Sequence, residues 1–453
     1  MLLDVPASLD SLLSLFSYCF TQPTFQTFRA MIVGQISQTR LRTVCGMLVG
    51  CRLAGVWHHA RAHRFFSAAD WSADELGLRL AQLIVARLLG PEQALVVPVD
   101  DTLLKRRGRK IFGAGWHHDA TANSNKGAVA WGNNWVTAGI NVKLPFLART
   151  VCLPVLFRLW RPKRKHIAKG KPDPERPSKP QLARQLLCLL AARFPDRMIH
   201  MVGDAAYATG AFADLPANVT ITSRLKANAT LHRLAPPRPP EGQRKRGRPP
   251  AKGAELPKLE ALAIDPATKW VKTTVCRYGK TEQVMVHTLR CLWYDAFRQQ
   301  QLQVVIIQDT TKPSGYELAL VSTDLHASAA QLIERYAERW PTEVAYEEGK
   351  EIFGIGDPRN RAEKAVQRTV PFQFLAMNLA ILWYALAGHH PEDVTHHRNR
   401  APWYLTKTAP SFADMLAKLR RVIIASQFHP GTGSTPKPEE IAEVQQAWAA
   451  AGL

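Results

Sequence analysis

The stretch from Ala94 to Arg224 constrains the fold most, because apolar runs of strand length and runs of helical period alternate there in a definite order. Ala94-Leu-Val-Val-Pro-Val99 is short and apolar throughout, the pattern of a strand covered on both faces, and it leads into Asp100 and Asp101. Carboxylates at the end of a buried strand need a reason. Two β-rich runs follow, Gly127 to Val142 and Phe146 to Leu159, and then a basic, proline-rich connector from Arg161 to Pro180. Gln181 to Phe194 has helical spacing and Met198 to Val202 is a strand run that leads to Asp204. Gly210 to Asp214 makes a short helix, and Val219 to Arg224 a further strand.

Three strands, helix, strand, helix, strand is the order of the ribonuclease-H-like α/β fold, whose last core helix should come next. Residues 225–328 intervene instead. They hold a Pro/Arg-rich segment, PPRPPEGQRKRGRPPAKG, and strand-like runs at Trp270 to Tyr278, Gln283 to Trp293, Gln303 to Gln308 and Tyr316 to Ser322. The displaced helix resumes near Ala327. The predicted class is therefore α/β: a mixed sheet flanked by helices over 93–224, a basic linker and mostly β insertion over 225–328, and the last part of the core over 329–400. Helical regions complete the chain at 401–453, which includes a run from Ser411 to Gln427, and at 1–92. In the latter, Ser72-Ala73-Asp74-Glu75 opens a helical run that stops at Leu89 before Gly90 and Pro91. This N-terminal domain is expected to bind DNA. His59 and His63 lie four apart within it but have no third ligand in view, so a polar helix face accounts for them.

The chain carries 59 Lys and Arg against 37 Asp and Glu, a formal charge of +22, which calls for a polyanionic partner. A membrane surface is the other polyanion to weigh. The most apolar stretch, Val370 to Gly388, contains Gln373 and Asn378 and reads as a buried helix. Seven cysteines, none in a Cys-x-x-Cys pair, suggest neither a disulfide framework nor a zinc ribbon. The N-terminus lacks the basic region and cleavage site of a signal peptide, so the expected location is cytoplasmic and nucleoid-associated, without membrane attachment.

Chemistry concentrates in Tyr336-Ala-Glu-Arg339-Trp-Pro-Thr-Glu343-Val-Ala-Tyr-Glu-Glu-Gly-Lys350. On a continuous helix, Tyr336, Arg339, Glu343 and Lys350 fall within roughly 60° of one another, so one carboxylate stands between two cations and an aromatic. The bland account is a solvated helix in which Glu334, Glu338, Glu347 and Lys350 form i,i+4 ion pairs. Pro341 breaks the hydrogen-bond ladder unless it lies in a first turn, and this loosens the angular argument for Tyr336 and Arg339. Asp100 and Asp204, each at the end of a predicted strand, favour a site, since strand ends converge in a parallel sheet.

Asp100-Asp-Thr102, Val202-Gly-Asp204-Ala-Ala-Tyr207 and the Tyr-x2-Arg-x3-Glu-x6-Lys run together resemble the three motifs of bacterial insertion-sequence transposases of the DDE class, in the branch marked by that last signature. The resemblance covers roughly residues 95–370. It implies a metal-dependent DNA endonuclease and strand transferase acting on double-stranded DNA, at the element's inverted-repeat ends and at target DNA, as a homodimer in the DNA complex. It also implies two Mg²⁺ ions, replaceable by Mn²⁺, held by Asp204, Glu343 and the first aspartate. Such ions neutralise the phosphate and activate a water or a 3′-hydroxyl, and an all-carboxylate donor set suits them. Asp-x-Thr selects Asp100 as that first ligand, but Asp101 stays open, because alternation along a strand allows only one of the two to face the site. Arg339 and Lys350 would bind phosphates beside the scissile bond, and Tyr336 would hold the DNA end.

Three basic clusters suit phosphate contact: Lys105, Arg106 and Arg107 after the first aspartate; Arg161, Lys163, Arg164 and Lys165 in the connector; Arg244, Lys245, Arg246 and Arg248 in the insertion. Arg246-Gly247-Arg248-Pro249 also resembles an AT-hook, a minor-groove reader, although basic linkers share that pattern. Trp116, Trp131, Trp135 and Trp340 are expected as core or interface aromatics.

Overall fold

The computed structural model describes residues 5–119, 129–162, 176–236, 250–401, 403–427 and 438–451. Its centre is a mixed sheet of ten strands: β1 (Leu95–Lys105), β2 (Gly115–His118), β3 (Val129–Lys143), β4 (Thr150–Trp160), β5 (Ile199–Gly203), β6 (Val219–Arg224), β7 (Val271–Arg277), β8 (Lys280–Leu292), β9 (Gln301–Gln308) and β10 (Tyr316–Ser322). β4, β3, β1, β5 and β6 lie side by side in that order. β1, β5 and β6 run parallel, and β3 and β4 return antiparallel. This is the ribonuclease-H-like arrangement expected from the order of elements.

The inserted strands do not make a sheet of their own. β10 pairs antiparallel with β6 through Leu320↔Arg224 to Ser322↔Thr222, and β9, β8 and β7 follow outward. The insertion thus lengthens the central sheet. β2, which the sequence pattern does not announce, adds to the N-terminal part of β3.

Three helices begin on the same device, a serine that accepts from the backbone N–H three residues on. Ser72 opens Ala73–Leu88, Ser178 opens Lys179–Arg193 and Ser328 opens Ala329–Ala337. In the last two, Gln181 and Gln331 complete the capping box. Lys179–Arg193 packs on β3 and β4, while Ala329–Ala337 packs on β7 and, less extensively, on β5 and β6. The long helix Glu363–Trp383 is nearly all buried. It is apolar and long enough to cross a membrane, yet 83% of its apolar window lies inside the protein.

Its neighbours are the N-terminal helices. Phe372 meets Phe28, Phe65 and Phe66 edge-on, and Arg368 donates to the carbonyls of Ala69 and Trp71 at 2.7 and 2.6 Å. One buried cluster therefore runs from the N-terminal helices through Val97, Val99 and Ile140 of the sheet to Phe374. A smaller cluster seats Leu332 and Ile333 on Val275, Val305 and Leu320.

His200 on β5 gives this core a pH signature. Its Nδ1 lies 2.8 Å from the Thr220 hydroxyl, and burial, helped by Arg335, lowers its pKa to about 4. Between pH 6.5 and 4 the unfolded chain takes a proton that the folded chain refuses, so stability falls as pH drops through that window and levels off below it. Urea midpoints at pH 7 and pH 5 are expected to differ less for His200→Gln than for the wild type.

Candidate active site

The parallel ladder between β1 and β5 runs from Leu95↔Ile199 to Pro98↔Val202. Two residues beyond that last pair come Asp100, on β1, and Asp204, just past the end of β5, where the ladder opens. β1 does not stop at Asp100, as its apolar run suggests, but continues against β3 to Lys105. Asp100 is opposite Thr137 on β3, and Asp204 leads into a turn in which its Oδ1 accepts from the Ala206 N–H at 2.8 Å.

The segment with the third carboxylate is not one regular helix. Ala329–Ala337 ends, Glu338 to Trp340 form a turn, and Pro341 starts a new helix, Pro341–Glu347, in the first-turn position that a proline tolerates. A π-helical turn, Glu348–Ile352, follows. The 100° count therefore fails across the motif. Tertiary contacts position these residues instead. Glu338 accepts from Asn141 Nδ2 and Thr150 Oγ1, both at 3.0 Å, and the Tyr346 hydroxyl lies 2.6 Å from that of Thr137. Glu334 accepts from the Cys276 N–H at 2.8 Å. Glu334 and Glu338 are thus tied to strands and do not belong to a solvated row of ion pairs.

These ties bring Arg339 between two of the carboxylates. Its Nη1 donates to Asp100 Oδ2 at 3.0 Å and to Glu343 Oε1 at 2.6 Å. Burial pushes the Asp100 carboxyl up to about 7, and the charges of Asp101 and Asp204 add to this against the Asp101 N–H and Arg339. Burial opposes the charge on Arg339, but Asp100 and Glu343 overcome it and keep the guanidinium protonated. Tyr336 lies beside Arg339 and is half-buried.

Asp101 faces the other way. Its Oδ2 accepts from Lys179 Nζ at 2.6 Å and its Oδ1 from the Tyr207 hydroxyl at 3.3 Å. Lys350 is displaced from Glu343 by the π turn, and the charges nearest it are those of Asp119, Glu351 and Lys105. Tyr346 and Tyr207 are the contributors that sequence reasoning left without a role. Tyr346, three residues after Glu343, could have been found from helical spacing.

The basic residues separate. Lys105 pairs with Asp119 at 2.8 Å. Arg106 turns inward and donates to Asn133 Oδ1 at 3.0 Å and to the carbonyls of Gly356 and Pro358 at 2.8 and 2.6 Å, so its guanidinium braces the loop instead of meeting solvent. Arg107 is exposed, and Arg161 lies 5.9 Å from the Phe112 ring. Lys163, Arg164 and Lys165, and Arg244, Lys245, Arg246 and Arg248 with the AT-hook-like sequence, lie outside the described residues. Trp135 is buried as expected and Trp131 half-buried, but Trp116 and Trp340 are 69% and 52% exposed.

Among the described residues no group of three His, Cys, Asp or Glu side chains is close enough to hold a metal ion. The donor chemistry fits a hard cation nonetheless. Asp100, Asp204 and Glu343 offer only carboxylate oxygen, the donor type that a hard cation takes.

The sheet is ribonuclease-H-like, with Asp100 and Asp204 at the open end of its parallel strands. The family described as DDE superfamily endonuclease matches residues 15–300, and the chain belongs to it. The match includes Asp100 and Asp204 and ends before Arg339 and Glu343. No curated protein matches the chain. Membership carries DNA as substrate, endonuclease or transposase activity and metal-dependent catalysis at the level of the family.

Proposed function

We propose that the protein is a transposase of the branch marked by Tyr336, Arg339, Glu343 and Lys350, which cleaves the terminal inverted repeats of its own element and joins the 3′-hydroxyl ends to target DNA. The observation that carries this reading is the convergence of Asp100 and Glu343 on Arg339, 239 positions away from Asp100 in sequence. Asp100, Asp204 and Glu343 would hold Mg²⁺, or Mn²⁺ in its place. Bound cations supply charge neutralisation on the phosphate and an activated water or 3′-hydroxyl.

The protein's own groups do the rest. Arg339, between two carboxylates in the absence of DNA, has the fork that a phosphate beside the scissile bond requires, and Tyr336 next to it steadies the DNA end. Lys350 stands further out with Lys105, where it meets a flanking phosphate. Asp101, fixed by Lys179 and Tyr207, braces the strand from the far side. The active species is a homodimer on DNA, and it works at the nucleoid.

Strand transfer requires the liberated 3′-hydroxyl to stay bound and aligned, which depends on held phosphates. Lys350→Ala or Tyr336→Phe is therefore expected to reduce joining of pre-cleaved terminal-repeat DNA to a supercoiled plasmid more than it reduces the first nick. The assay separates nicked from joined species on a gel. Ends that are nicked by the wild type but never joined would identify a nuclease without strand transfer.

A further inference from the structure

On β3, residues an even number of positions from Thr137 share the face that Asp100 and Tyr346 occupy. Trp131 is one of them. It stands directly opposite Trp116 of the edge strand β2, and Val129 stands opposite His118. This outer end of the active-site face is open: Trp116 is 69% and Val129 60% exposed.

Trp116 is also braced. The Trp131 indole N–H donates to the Gly108 carbonyl at 3.0 Å, and the two rings meet edge-on, 5.9 Å apart at 69°. With Trp131 against it, the Trp116 side chain still keeps most of its surface exposed among the described residues. The loop that Trp131 holds carries Arg107, Arg109 and Lys110, all exposed, and among the described residues none of the three has an ion-pair partner.

An exposed aromatic on a fixed support, beside a loop with three exposed cations, has the chemistry of a platform for a nucleobase on a phosphate backbone. A protein partner of ordinary composition would find little to pair with so one-sided a charge. The six residues from Thr137 to Trp131 span about 20 Å of strand, or about six base-pair steps of DNA.

We infer that Trp116 is a stacking site for an unpaired or extruded base of the DNA strand that leaves the active site, with Arg107, Arg109 and Lys110 on its phosphates. The inference rests on the DNA-acting reading above and adds a second contact region to it. Lys105, which the sequence groups with these cations, is instead neutralised by Asp119.

The test is equilibrium binding, by fluorescence anisotropy in EDTA, of the full-length protein to a labelled oligothymidylate of about thirty nucleotides and to a blunt duplex of about the same length. Trp116→Ala is expected to weaken oligothymidylate binding about tenfold with its salt slope unchanged, while duplex binding moves less than about twofold. Trp116→Phe should retain most of the affinity, since it keeps a ring. Arg107→Ala/Arg109→Ala/Lys110→Ala should flatten the salt slope on both DNAs, by up to about two on the single strand. Oligothymidylate affinity unchanged in Trp116→Ala overturns the stacking site, and a change of molar mass by light scattering in that case would assign the face to contact between copies. A wild-type protein that binds neither DNA overturns the DNA-acting reading itself.

Discussion

Alanine at Asp204 or at Glu343 is expected to abolish cleavage of terminal-repeat DNA and to leave binding of that DNA nearly intact. The expected fall in cleavage rate is at least about a thousandfold, or about 4 kcal/mol of barrier. It is this large because, on the proposed function, the carboxylates would act on the transition state, whereas affinity would come from cations elsewhere on the surface. Gel-shift and cleavage assays on the same preparation measure both quantities. Cleavage at the wild-type rate in either variant removes that residue from the site. Asp100→Asn and Asp101→Asn belong beside them: Asp100 shares Arg339 with Glu343, and Asp101 is turned to Lys179 and Tyr207. A much larger loss is therefore expected for Asp100→Asn.

Arg339→Ala has the second largest expected effect, and it acts on stability and catalysis together. Without the guanidinium, the buried Asp100 loses its partner, which costs about 1–3 kcal/mol of folding free energy, while the more exposed Glu343 is left to water at little cost. Added Mg²⁺ then has two unpaired carboxylates to bind and no arginine to displace. Its stabilising increment should exceed that of the wild type, while cleavage falls on the order of a hundredfold for want of the phosphate clamp. Thermal unfolding with and without Mg²⁺ tests this. An equal Mg²⁺ increment in both proteins would mean that Arg339 and the cation do not compete for the same oxygens.

Much of the fold was legible because buried strands and capped helices leave strong local patterns. Ser72, Ser178 and Ser328 start helices for a reason contained within four residues. The docking of the inserted strands was not legible, since an alternating strand does not encode its neighbour, and nothing in Tyr316–Ser322 announces β6 as the partner. β2 was missed because four residues with two histidines make too short a pattern. At the site, Asp100, Asp204, Arg339 and Glu343 could be singled out by residue type and order. Their arrangement depends on Glu338 gripping β3 and β4 and on Tyr346 meeting Thr137, contacts made across long stretches of chain. A run of basic residues likewise conceals which members face solvent, and strand geometry sends Lys105 outward and Arg106 inward.

The place of β10 bears on the order in which the protein comes into being. It is the last strand synthesised, yet it lies in the interior of the sheet, between β6 and β9. A growing chain that has not reached Tyr316 can hold only two separate half-sheets, each with a bare edge. The arrival of β10 fuses them, and the next elements made, Ala329–Ala337 and Pro341–Glu347, deliver Arg339 and Glu343 onto the completed surface. Closure of the sheet and assembly of the site are thus consecutive steps at the end of a long-range folding route. A chain that stops before Arg339 has Asp100 and Asp204 but not the other half of the candidate site, so on the proposed function the capacity to break DNA would appear only after about three-quarters of the polypeptide has been made.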